Sequence, residues 1–168
     1  MTACHLVTYF VAGLIAYTLF DYRGLFQTQG LSSYMRPVDS KWVAAGPSLQ
    51  VIRGLILALA LYPFRHVVLR EPKGWLKLWG LLVGLCVLSA AGPAPSSVEG
   101  LIYTQLSWVQ HFRGLPEVIL QNLGLAVLLV GWYRSSNKAW GIVMYALTVL
   151  GILMSLAGVF LPRTETFK

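Results

Sequence analysis

Charged side chains are scarce in this sequence, at 11% of its 168 residues against about 25% in a typical soluble domain. With 57% of the residues hydrophobic, that scarcity excludes an ordinary water-soluble fold. Acids are rarer than bases, six Asp or Glu against thirteen Lys or Arg, for a net charge of +7. Such a balance can signal nucleic-acid binding. Here, however, the cations fall in short groups between long apolar runs, as charges flanking membrane spans do, so no nucleic acid is expected as a partner.

Reactive groups are equally few. The two cysteines, Cys4 and Cys86, sit in or beside apolar runs with no CxxC and no His-rich neighbour, which excludes a zinc or dithiol site and leaves them as packing residues. Of the three histidines, His5 is at the edge of the first apolar run, His66 follows Arg65 and His111 lies in a connection. None is placed for a bis-histidine haem, and no HExxH or similar ligand spacing exists, so neither metal nor cofactor is expected. No catalytic residue is assigned.

What is abundant is apolar length. A hydrocarbon core of about 30 Å needs roughly 17 to 25 mainly apolar residues in a helix. Five stretches qualify, at about 3–20, 47–64, 75–92, 116–133 and 139–161. Pro47 and Pro116 suit a first helical turn, where the missing N–H is not needed, and are read as span starts. The first run lacks a basic start and a small-residue cleavage site, so it is expected to be a retained anchor. The runs are apolar on every face, unlike the alternating segments of a membrane barrel. The reading is an all-α, polytopic transmembrane helical bundle of about five spans, forming one integral membrane domain over 1–168.

Two connections are longer than turns. Between Pro93 and Gly114, Ser96 and Glu99 have capping-box spacing ahead of Leu101, Ile102, Leu106, Trp108, Val109 and Phe112, which predicts a short interfacial helix over about 97–112. The stretch from Asp21 to Gly46, with Gly24, Gly30 and Pro37, reads as loop. Five spans put the chain ends on opposite sides. Six basic residues fall on each side, Arg23, Arg36, Lys41, Arg113, Arg163 and Lys168 opposite Arg65, Arg70, Lys73, Lys77, Arg134 and Lys138; the latter six are packed into two compact loops on the side of the amino terminus, which favours a cytoplasmic amino terminus in a bacterial inner membrane.

Arg53 stands out, because a guanidinium within a span costs about 2.5–3.5 kcal/mol on insertion scales and normally faces protein or water. Gln50 shares its face one turn earlier. Glu117 and Gln121 share a face in the fourth span, with Asn122 beside them. The expectation is that Gln50 and Arg53 meet Glu117 and Gln121, with Asn122 beside them, across a helix interface, either as interhelical glue, as a site for an anionic headgroup or small acid, or as a proton relay through Glu117. Gly80 with Gly84, and Gly151 with Ser155, are small-residue pairs suited to close helix packing, within the bundle in preference to dimerisation. Arg36, Asp39, Glu99, His111 and Arg113 fall in connections on one membrane face, where a partner or ligand could dock, although turn-shaping and capping explain the same residues.

These observations favour an accessory or scaffolding subunit that acts by helix packing and loop docking. Its partners would be membrane lipid and a larger membrane complex or further copies of itself. The alternative is a carrier or channel for a small anion or lipid, built on the Arg53 cluster. A membrane-embedded enzyme would need Glu117, Asp39, Glu99 or His111 to converge on a pocket.

Overall fold

A computed structural model of the chain describes residues 1–19, 24, 31–37, 40–88 and 92–160. Every regular element among them is helical: α1 (Thr2–Leu19), α2 (Leu31–Tyr34), α3 (Lys41–Leu61), α4 (Gly74–Leu88), α5 (Val98–Tyr103), α6 (Trp108–Arg134) and α7 (Lys138–Phe160). A 3-10 turn at Tyr62–Phe64 and a π turn at His66–Arg70 join α3 to α4. Four helices, α1, α3 with its 3-10 extension, α6 and α7, are long and apolar enough to cross a membrane, and α4 is shorter at 15 residues. Their large apolar side chains are widely exposed, among them Ile52, Leu59, Ile142, Leu153 and Phe160. Water does not tolerate such a surface on a monomer. It is the pattern of a multi-pass membrane protein.

Three expected boundaries move. The second long helix starts at Lys41 rather than Pro47, because Ser40 caps it by accepting the Val43 N–H at 3.2 Å. The fourth starts at Trp108 rather than Pro116, behind a capping box in which Ser107 and Gln110 satisfy each other's backbone N–H groups. Both prolines therefore lie inside helices. The helix expected over 97–112 is broken by the extended Thr104 that ends α5 after six residues, and its second half belongs to α6. Ser97 rather than Ser96 caps α5, accepting from Gly100 N at 2.9 Å.

α1 is the most enclosed of the long helices and packs against α3, α6 and α7, while α4 packs on α6 and α7 on α3. α1 and α3 run antiparallel: Gly54 lies against Thr2, Gln50 against His5 and Gly46 against Tyr9. α3 and α7 do the same, through Ala44 with Gly158 and Ser48 with Ser155. The core joins Cys4 and Val7 of α1 to Leu78, Leu82, Leu125, Ala126, Val130 and Met144, with Val68 beneath.

Candidate functional site

Residues three or four apart share a helix face, and His5 and Tyr9 both project from α1 toward α3. The imidazole Nε2 of His5 lies 3.1 Å from Gln50 Oε1, and the Gln50 Nε2 donates to Gly46 O at 3.4 Å. That second bond fixes the amide, so the network assigns the Nε2–H tautomer to His5. Its Nδ1 lone pair is then buried with no partner. Tyr9 is the next polar group along α1, its hydroxyl fitting against Gly46 where a side chain would otherwise stand.

The expected meeting of Arg53 with Glu117 does not occur, because α1 holds α3 and α6 apart. Arg53 is exposed on α3, one turn from Gln50. The ion pair between described side chains is Lys77 with Glu71. Glu117 and Gln121 instead line an apolar groove of about 260 Å³ between α1 and α6, with Thr8, Val11, Ile15 and Leu120. Asn122 points the other way, donating to Val118 O at 2.8 Å and reaching Cys86 Sγ of α4 at 3.8 Å. The five residues of the expected cluster are thus distributed over three places around α6 and α1. Sequence reasoning missed His5 and Tyr9, the residues on the intervening helix, although their spacing of four in an uncharged run was a usable signal.

The connection residues are equally divided. Asp39 lies outside the described residues. Arg36 stacks over the Trp42 ring at 5.5 Å, Glu99 occupies the first turn of α5, and Arg113 is exposed. His111 is not free to dock, being only 1% exposed. Its Nδ1 accepts the Ser96 N–H at 3.0 Å, and its Nε2 lies 3.3 Å from Thr104 Oγ1. It therefore staples the connection to the start of α6 and holds Ser96 at a φ of 68°, a region that L residues other than glycine rarely enter. Gly100 is required beside it, since a Cβ there would meet the Ala94 carbonyl and His111 Cε1.

Of the small-residue pairs, Gly151 lies under Leu6, where an added Cβ would stand 3.0 Å from Leu6 Cδ2. Ser155 is buried and hydrogen-bonded to α3. Among the described residues, no atom lies within 4 Å of a Cβ built on Gly80 or Gly84. They face away from α6, on the opposite side of α4 from Leu78 and Leu82.

Among the described residues no group of His, Cys, Asp and Glu could hold a metal ion. What the arrangement offers is an interhelical His5–Gln50 bond one turn from Arg53, and a separate apolar groove that holds Glu117 and Gln121. Compared with known proteins, the chain matches no family model, no curated protein and no solved structure.

Proposed function

We propose that this chain is a five-span inner-membrane protein, with α4 as the shortest span, that serves as an accessory or scaffolding subunit. The observation that carries this reading is the bare face of α4. Leu76, Gly80, Gly84 and Leu88, spaced by four, form one stripe; the two leucines are exposed, and among the described residues nothing lies within 4 Å of a Cβ on either glycine. The opposite stripe is fully engaged, with Leu78 and Leu82 buried and Trp79 Nε1 donating to Ile119 O of α6 at 3.1 Å. Glycines flanked by leucines allow a second helix to approach closely and gain dispersion contacts that lipid does not supply.

Mild-detergent extraction from the native membrane tests the reading. The wild type should migrate with a partner helix protein or a second copy, and a Gly80→Leu/Gly84→Leu variant should migrate alone with unchanged thermal stability. A wild type that extracts as a lone monomer would overturn it.

A second reading, a carrier or channel for a small anion or lipid, draws on Arg53, exposed on α3, and on Glu117 and Gln121, which line the groove between α1 and α6. Intramembrane ionisable groups mark ion and proton paths. Its test is flux in proteoliposomes, which Arg53→Ala should abolish.

A further inference from the structure

The end of the bundle that carries the α3–α4 and α6–α7 connections is strongly basic. Arg65, Arg70, Lys73 and Lys77 come from the first connection and its helix start, Arg134 and Lys138 from the second, and Glu71 is the acid among them. The tertiary structure spends that acid internally. Lys77 pairs with the Glu71 carboxylate, and Arg134 clamps the two connections together by donating from Nε to Leu69 O at 3.2 Å and from Nη2 to Glu71 O at 2.5 Å. Arg65, Arg70, Lys73 and Lys138 are left exposed, with no carboxylate bound to them among the described residues. Lys73 adopts a φ of 56° at the sharp entry to α4, and a Cβ on the next residue, Gly74, would collide with the Val68 carbonyl. The basic loop is therefore a fixed shape, not a loose tail.

We infer that this face binds the phosphates of anionic phospholipid headgroups. The cations stand at the ends of apolar helices among exposed aromatics, Tyr62, Phe64, Tyr133 and Trp140, rings that settle at headgroup level. Arg65 already lies over the Tyr62 ring at 4.2 Å with its Nη1 on the Tyr62 carbonyl at 3.2 Å, which leaves the rest of its guanidinium fork for a phosphate. Clustered Lys and Arg directly beside membrane helices attract anionic lipids, and the attraction is screened by salt. An acidic protein is a poorer fit, because aromatic rings and helix ends at this level place the cations within reach of the lipid surface itself. Binding here requires only that the helices lie in a bilayer, whether or not a partner sits on α4.

The test compares wild type with an Arg65→Gln/Arg70→Gln/Lys73→Gln/Lys138→Gln variant, each reconstituted in vesicles of phosphatidylcholine mixed with phosphatidylglycerol. Native mass spectrometry then counts retained lipids. Wild type should retain phosphatidylglycerol over phosphatidylcholine, and the variant should lose that preference by about tenfold or more. A charge-keeping Arg70→Lys/Lys73→Arg variant should retain it, which separates loss of charge from loss of fold. Inorganic phosphate added to the wild type should not displace the lipid; displacement would assign the face to a free anion instead. Equal retention of both lipids by the wild type, or equal preference in wild type and glutamine variant, would overturn the inference. So would a charge-dependent loss of a co-purifying acidic protein with lipid retention unchanged.

Discussion

The Ser155 hydroxyl of α7 is inserted into the backbone ladder of α3 at Ser48. It accepts the Ser48 N–H at 3.2 Å and donates to Ala44 O at 2.7 Å, bridging a donor and an acceptor that a regular helix would pair directly. The gap exists because Pro47 lacks an N–H and its ring pushes against the preceding turn. In hydrocarbon no water can fill it, and a serine from a neighbouring helix does so instead. Ser155→Ala should therefore lower stability in detergent by about 1–3 kcal/mol, the cost of leaving buried polar groups unpaired. In a Pro47→Ala background the ladder can close by itself, so the same change should cost far less. A thermal-melt double-mutant cycle with no coupling between the two sites would refute the account.

His5 and Gln50 make a comparable bond between α1 and α3. Replacing either with Leu strands the other in an apolar interface and should cost about 1–3 kcal/mol, whereas replacing both removes donor and acceptor together. The double variant should be more stable than the sum of the singles implies. Unfolding by chemical denaturant in micelles checks this, and strict additivity would show that the bond is not formed.

The glycines separate by what surrounds them. At Gly54 an added Cβ would stand 2.9 Å from Thr2 Cα, against backbone, so Gly54→Ala should destabilise the purified protein by about 1–3 kcal/mol through overpacking. At Gly80 and Gly84 there is open space. Alanine at either should leave stability unchanged or raise it by up to about 1 kcal/mol through the better helix propensity. Equal losses at all three positions in a melting assay would contradict these placements.

His111 can accept the Ser96 N–H only while its Nδ1 carries no proton. Acidification that protonates the imidazole should break this bond and release the connection ahead of α6. The protection factor of the Ser96 amide, its exchange measured against the intrinsic rate at each pH, should fall as pH falls, and in His111→Ala it should be low at every pH. A protection factor independent of pH in the wild type would rule out the staple.

Much of the fold was legible in the sequence. Apolar runs of span length and scarce charge specify membrane helices, since each helix satisfies its own backbone and needs only its length and composition to be recognised. The helix starts were less legible. Ser40 and Ser107 were capping residues in plain view, yet Pro47 and Pro116 competed as start signals. Whether a proline ends a helix depends on what repairs the ladder, and at Pro47 the repair comes from Ser155, which lies far along the chain.

The sequence by itself determined that this protein is helical and suited to lipid, and which residues are polar within its spans. Only the tertiary structure decided who meets whom. Hydropathy records how deep a residue lies but not the order of helices around the bundle. With α1 placed between α3 and α6, Arg53 and Glu117 are parted, His5 takes Gln50, and the Gly80–Gly84 stripe is turned outward while Gly151 is turned in.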